Sequence, residues 1–113
     1  MLGKWTLAVA MTLAVAGPAL ADPIVGNWKT DSGATAQIAA SGGGFTITLR
    51  SGQHNGKRIG QMQASGSGKY KGTITDPAED KSYSGNATLD GNRLAMQGCV
   101  AMVFCRTQNW QRQ

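Results

Sequence analysis

The sequence predicts an all-β fold, a small up-and-down β-barrel of about eight antiparallel strands. From residue 22 onward, apolar and polar residues alternate with a period of two over short stretches, as in half-buried strands. Gly, Ser, Asn and Asp separate these stretches, and the chain of 113 residues contains 16 glycines. No window after residue 22 repeats its apolar residues at helical spacing.

The alternation delimits eight strand segments joined by short loops. They lie near residues 25–30, 34–40, 44–50, 58–64, 69–75, 82–89, 92–98 and 104–112. Eight strands suit a closed up-and-down barrel. Closure also removes the exposed edges at which a small β-sheet protein would otherwise aggregate.

The segment from Phe45 to Arg50 has the clearest pattern, because Phe45, Ile47 and Leu49 share one face while threonines and Arg50 share the other. The same reasoning assigns a core face to every other long segment. The predicted core-facing residues there are Ala36, Ile38, Ala40, Tyr70, Gly72, Ile74, Tyr83, Gly85, Ala87, Leu89, Leu94 and Met96. Between Leu89 and Leu94, Asp90-Gly91 predicts a hairpin with a type I′ turn.

The N-terminal region has the three parts of a signal peptide. Lys4 gives a positive start, an apolar run follows that is too short to span a bilayer, and Ala19-Leu20-Ala21 forms a cleavage site. We therefore expect residues 1–21 to be cleaved and residues 22–113 to form a single barrel domain. The mature protein would be periplasmic or secreted, with no transmembrane segment. An uncleaved anchor or a buried helix is the alternative.

The two cysteines, Cys99 and Cys105, are predicted to form a disulfide, because an exported protein matures in an oxidising compartment. Closing so short a loop contributes about 2 kcal/mol by the chain-entropy model. A metal site would need further soft ligands, and the single histidine, His54, is distant in sequence. We expect no metal and no other cofactor.

The basic balance of the chain does not by itself indicate a nucleic-acid partner. The formal net charge is +5, and the ten lysines and arginines after residue 21 are scattered, with few aromatic residues between them. A solvated cationic surface explains this distribution, so no nucleic-acid binding is expected.

Several motifs resemble a bacterial family called domain of unknown function 2147. They are Gly26-Asn27-Trp28, Asp76-Pro77 followed by Lys81-Ser82-Tyr83-Ser84-Gly85, Leu94-Ala95-Met96-Gln97-Gly98-Cys99, and the final run from Cys105 to Arg112. The first of these also matches the Gly-x-Trp that opens lipocalin-like barrels. The resemblance implies an exported, single-domain, lipocalin-like β-barrel in a family whose biochemical role is not established.

Trp28 and the arginines of the last strand are predicted to hold the barrel closed. The first and last strands of a closed barrel are neighbours, so Trp28 can stack with Arg106 or Arg112. A guanidinium over an indole contributes about 0.5 to 2 kcal/mol. The alternative is that Trp28 or Trp110 contacts a ligand.

The chain has few of the residues from which catalytic sites are built, because it contains one histidine, one glutamate and no free thiol once the disulfide forms. A triad would have to use His54, which lies in a Gly/Asn-rich loop where nothing holds it as a base must be held. The acidic group Asp76, Glu79 and Asp80 lacks the ligand pattern of a calcium loop. We therefore expect a protein that is not an enzyme.

Two functions of different classes fit these observations. The first is the carriage of a small apolar ligand in the barrel, against the alternative that side chains fill the interior. The residues that would line such a site include Ile38, Phe45, Ile47, Leu49, Tyr70 and Ile74.

The second is an envelope protein-binding module, such as a hydrolase inhibitor, acting through the disulfide-closed loop. Its contact residues would be Val100, Met102, Val103 and Phe104. An apolar loop closed by a disulfide presents a preorganised patch. The argument for this hypothesis no longer holds if Val103 and Phe104 point into the barrel, because they would then not form a surface patch. The positive charge disfavours a cationic partner.

Overall fold

The structure is a computed structural model that describes residues 22–100 and 104–113. The predicted signal peptide therefore lies outside the described residues, as do Met102 and Val103 of the predicted contact loop. No helix in the described part of the chain is long and apolar enough to cross a membrane.

Eight antiparallel strands, each paired with the next, form a closed barrel, which confirms the predicted fold class. Every predicted segment coincides with an observed strand, with ends that differ by at most two residues. The strands are β1 (Gly26–Lys29), β2 (Thr35–Ser41), β3 (Gly44–Leu49), β4 (Arg58–Gly66), β5 (Lys69–Asp76), β6 (Lys81–Asp90), β7 (Arg93–Val100) and β8 (Phe104–Arg112).

One continuous core fills the barrel, built by the inward residues of all the strands. Its buried members are Ile24, Trp28, Ala36, Ile38, Phe45, Ile47, Leu49, Ile59, Met62, Tyr70, Ala87, Leu94, Met96 and Trp110. The predicted alternation holds through β3, where Phe45, Ile47 and Leu49 are buried. Ala40 is exposed rather than buried, because it lies at the end of β2 next to the turn at Gly42-Gly43. Gly72 is also exposed, because the position of its missing Cβ is directed at the backbone of Gln61 and Met62 in β4 and not at the core.

The β6–β7 hairpin forms where predicted, but its turn is shifted by one residue. Asp90 pairs with Arg93, so the two central residues are Gly91 and Asn92. Gly91 has a positive φ of +63°. Asn92 does not have a positive φ, because Asp80 is the non-glycine residue with a positive φ in the described part of the chain. Positive φ at the first centre alone is the pattern of a type II′ turn, and the type I′ prediction is wrong.

The barrel closes through a short seam between β1 and β8. Only Trp28 with Arg112 and Lys29 with Gln111 are in register there. By contrast, β7 pairs with β8 from Val100–Phe104 to Arg93–Gln111. The chain leaves β1 at the turn Thr30–Ala34, where the amide of Gly33 donates to the Thr30 carbonyl. The larger part of β8, Phe104 to Trp110, therefore has no neighbouring strand on its outer edge among residues 22–100 and 104–113.

Candidate functional site

The described turns and chain termini alternate between the two ends of the barrel. One end, here called the plugged end, contains Asp22–Val25 and the C-terminal part of β8. The other end contains the β7–β8 hairpin with its disulfide and is called the hairpin end.

At the plugged end, residues Asp22–Val25 fold into a turn that covers the core. The Asp22 side chain accepts a hydrogen bond from the amide of Ile24 at 2.9 Å, and the Asp22 carbonyl accepts one from Val25 at 3.0 Å. This turn inserts Ile24, which is 1% exposed, into the core. The Trp28 indole N–H donates to the Ile24 carbonyl at 3.0 Å and fixes the plug to β1.

The cation over Trp28 is Arg112. Its guanidinium carbon lies 4.3 Å from the ring centroid, and its Nη2 donates to the carbonyl of Pro23 at 2.7 Å. Arg106 does not take this position. It is in register with Gly98 and lies six residues away along an extended strand, a distance of about 20 Å. Of the two predicted arginines, Arg112 is therefore the one that stacks on Trp28.

Tyr70 ties β5 to the same plug. Its hydroxyl donates to the Asp22 carboxylate at 2.5 Å, and its ring meets Phe45 edge-on with centroids 5.6 Å apart. Burial, the hydrogen bond and the negative charge of Asp22 all raise the pKa of the Tyr70 hydroxyl. The hydroxyl therefore stays protonated and acts as a structural donor at neutral pH.

The residues predicted to line a ligand site face the interior, where they pack against one another. Ile38, Phe45, Ile47, Leu49 and Tyr70 are buried, and Ile74 is partly buried against them.

Large side chains lie close to two of the small residues of the barrel. A Cβ on Gly85 would lie 2.6 Å from Cγ1 of Ile74, and one on Gly60 would lie 2.8 Å from Cδ1 of Ile47. Large side chains thus occupy the space above the glycines, which is how a small barrel fills itself.

At the hairpin end, the predicted disulfide is present. Cys99 and Cys105 are in register on β7 and β8, with Cα atoms 4.0 Å apart. The next pair in register, Val100 with Phe104, comprises the two exposed large hydrophobic residues in the described part of the chain, at 48% and 74% exposure. The disulfide therefore braces an apolar pair that faces solvent.

The exposure of Phe104 follows from the short seam. Phe104, Arg106 and Gln108 alternate in step with the buried Trp110, so they are on the inward side of β8, yet Phe104 and Arg106 are exposed. In the part of the chain that the structure describes, no strand covers them, because β1 ends at Lys29. Phe104 thus has an inward register but contacts solvent.

An open groove lies beside this pair. Its volume is about 420 Å³, and it is lined by Lys81, Ser82, Tyr83, Ser84, Cys99 and Val100. It shares no residue with the predicted interior ligand site. A smaller groove of about 150 Å³ lies by Arg58, Gly60, Gln61, Thr73 and Thr75 on β4 and β5.

Two neighbouring loops at the hairpin end are joined by Lys57. Its ammonium contacts Asp80 Oδ1 at 2.8 Å and the Pro77 carbonyl at 2.9 Å. Both side chains of the ion pair are substantially exposed, so it contributes little to stability. Asp76 accepts from the amide of Ala78 at 2.8 Å, so it serves the turn. No group of His, Cys, Asp or Glu in the described ranges has the arrangement of a metal site.

A family model covers residues 48–112, more than half of the chain. Its description is "Uncharacterized protein conserved in bacteria (DUF2147)". The chain belongs to the DUF2147 family. The matched segment begins in β3 and includes the disulfide, Phe104 and Arg112, whereas Gly26-Asn27-Trp28 precedes it. Neither the curated proteins nor the solved structures provided a match.

The short seam is the feature that the sequence pattern did not predict. Alternation indicates which residues form strands, but it does not indicate how long the pairing between the first and last strands is. A signal was available: Thr30-Asp31-Ser32-Gly33 is a run of turn residues directly after Trp28 and Lys29. Such a run limits β1 to a few residues, too few to pair with all of β8.

Proposed function

We propose that this DUF2147 protein is an exported, non-enzymatic binding module of the bacterial envelope or its exterior. Its contact surface would be the hairpin end, and its partner a protein. The observation that carries the proposal is the Val100–Phe104 pair, which is apolar, exposed and fixed by the adjacent disulfide. A fixed apolar patch binds at a smaller entropic cost than a flexible one, and aromatic residues are frequent anchors of protein interfaces.

Charge around the patch narrows the class of partner. Arg106 lies two residues from Phe104 on the same face of β8, and Lys81 lines the neighbouring groove beside Val100. These cations favour a partner whose contact surface combines apolar and acidic residues. After residue 21 the chain has ten lysines and arginines against six aspartates and glutamates, a formal charge of +4 that disfavours a basic partner such as a lysozyme.

Carriage of a small apolar ligand is the competing function, and the interior gives it less support. The proposed lining residues pack against one another, and the 420 Å³ groove lies at the hairpin end and shares none of them. Native mass spectrometry of the mature protein, released gently from the envelope, separates the two functions. A reproducible extra mass that is lost on mild activation would favour the carrier.

Site-specific photo-crosslinking in the producing bacterium tests the protein-binding function. A photoreactive phenylalanine analogue replaces Phe104 in one variant and Gln61, an exposed residue of β4, in the control. We expect one discrete protein adduct from position 104 and none from position 61. The purified partner should then bind wild type at least about tenfold more tightly than Phe104→Ser, as befits an aromatic anchor. Equal adducts from both positions would contradict the proposal.

A further inference from the structure

The edge of β8 left open by the short seam carries a set of unpaired backbone groups. The amide of Arg112 donates to the carbonyl of Asn92, directly before β7, and the amide of Gln113 donates to the carbonyl of Asn27 on β1. Backbone groups point alternately to the two sides of a strand. Those of Cys105, Thr107 and Asn109 therefore point away from β7, toward the side on which β1 has already ended.

The geometry of the disulfide agrees with this assignment. A pair of opposite residues that exchanges no hydrogen bonds has the shorter Cα separation, near 4.5 Å. The Cys99–Cys105 separation is 4.0 Å, so the backbone groups of Cys105 are directed to the open edge. None of the backbone amides and carbonyls of Cys105, Thr107 and Asn109 has a partner on that side among residues 22–100 and 104–113.

The side chains along this edge specify what would lie against it. Phe104 and Arg106 are on the inward face and exposed. Arg106 forms neither a salt bridge nor a hydrogen bond within the described residues, where the ion pair present is Lys57–Asp80. An incoming strand would thus meet, on one face, an aromatic ring and a guanidinium that has no partner among the described residues, and along its length the backbone groups of the β8 edge.

We propose that the protein binds its partner by β-strand addition: an extended acidic and apolar segment of another protein pairs with β8 along Cys105–Asn109. The segment takes the place that a longer β1 would occupy and runs antiparallel to β8, as β1 does. Its apolar residue covers Phe104, and its carboxylate pairs with Arg106. Main-chain hydrogen bonds supply affinity in this binding mode, while alternate side chains supply specificity.

A second copy of the chain fits this edge less well. Antiparallel pairing of two β8 strands about Thr107 would bring the Arg106 residues of both copies to the same face near each other. Like charges on neighbouring positions destabilise strand pairing. A segment with a carboxylate at that position has the complementary charge.

The proposal rests on the proposed function, since it states how the hairpin end holds a protein partner. The probe is a blocked synthetic peptide of about six residues, a usual strand length, with alternating Thr and Val and one Asp on the valine face. Its binding is followed by backbone amide exchange of the mature, disulfide-bonded protein. We expect the exchange of Cys105, Thr107 and Asn109 to slow by about tenfold or more at saturation, with little change at Arg106 and Gln108.

Two matched variants separate strand addition from side-chain contact. Thr107→Pro removes an amide that the ladder with β7 does not use, and Thr107→Val keeps it. We expect Thr107→Pro to weaken peptide binding by about tenfold or more and Thr107→Val to bind like wild type. Two N-methylated peptides provide a second control. One is methylated at the residues whose amides would face β8 and the other at the alternate residues, and only the first should lose binding.

The proposal is overturned if the three amides stay unprotected at saturating peptide, or if Thr107→Pro binds like wild type. Slowed exchange without peptide that increases with protein concentration would overturn it in favour of self-pairing. Failure of strand addition can be distinguished from failure of the proposed function. A crosslinked partner that binds wild type and Thr107→Pro equally, but not Phe104→Ser, would leave the hairpin end as the contact surface and exclude strand addition.

Discussion

The two ends of the barrel are built from similar residue types and have opposite properties. At the plugged end, an aromatic ring and an arginine, Trp28 and Arg112, stack at 4.3 Å, and Trp28 is fully buried. At the hairpin end, Phe104 and Arg106 lie two residues apart on the inward side of β8, yet both are exposed. The difference is the neighbouring strand, because β1 pairs with β8 at Arg112 and ends before it reaches Arg106 and Phe104.

The length of β1 thus determines which part of β8 is packed into the fold and which part is left exposed as a contact surface. The plug, the seam and the interior contribute packing and hydrogen bonds, so changes there should reduce stability. The hairpin end depends on a local disulfide, and changes outside that disulfide should affect binding with little effect on stability.

The largest expected effect is the loss of the buried indole. Trp28→Ala should destabilise the fold by about 3 to 5 kcal/mol, because it leaves a cavity and removes the partner of Arg112 and of the Ile24 carbonyl. That is a large share of the stability of a domain of this size. Urea unfolding followed by tryptophan fluorescence and circular dichroism measures it. A loss below about 1 kcal/mol would contradict the role given to the plugged end.

Two glycines differ in the space that an added Cβ would find, so they compare a closely packed position with an open one. A Cβ on Gly72 would collide with the backbone of Gln61 and Met62, whereas one on Gly98 meets nothing nearer than Cβ of Tyr83 at 3.8 Å. Gly72→Ala should therefore cost about 3 kcal/mol or more. Gly98→Ala should stay within about 0.5 kcal/mol of wild type. Equal thermal denaturation midpoints for the two variants would show that packing does not differ between these positions.

The hydrogen bond between Tyr70 and Asp22 predicts a pH dependence located at the plugged end. The folded pKa of Tyr70 is raised above its unfolded value near 10, so its contribution is complete below pH 10 and is lost as the pH rises beyond that value. Tyr70→Phe should cost about 1 to 3 kcal/mol at neutral pH and flatten the alkaline decline.

Urea unfolding across the alkaline range measures this dependence, with Tyr83→Phe at the hairpin end as the control. The control should retain the wild-type alkaline decline. The same decline in Tyr70→Phe as in wild type would mean that Tyr70 is not its source.

The smallest expected effect on stability is at Phe104. Phe104→Ser removes a side chain that is 74% exposed, so the free energy of unfolding should change by less than about 0.5 kcal/mol. Its partner affinity, in contrast, should decrease. A destabilisation comparable to that of Trp28→Ala would show that Phe104 is part of the core and not of a contact surface.

The sequence was sufficient for the strands and for much of the core, because period-two alternation is a local property. It did not identify Ile24 or Ile59 as core residues. It located β3 through Phe45, Ile47 and Leu49, and it identified Trp28 together with the two arginines that could reach it. The choice of Arg112 over Arg106 required the register between β1 and β8, which is not local. The plug formed by Asp22–Val25 joins residues 48 positions apart through Tyr70, and no short-range pattern encodes such a contact.

The most direct test of the account is amide hydrogen exchange in the free protein along β8. If the seam is short, exchange should alternate: Arg106, Gln108 and Trp110, which bond to β7, should exchange slowly, and Cys105, Thr107 and Asn109 should exchange fast. The opposite edge of the same strand supplies the internal reference, because both sets share one backbone. Uniform slow exchange from Cys105 to Trp110 would mean that the edge is covered, and it would contradict both the open seam and the binding mode built on it.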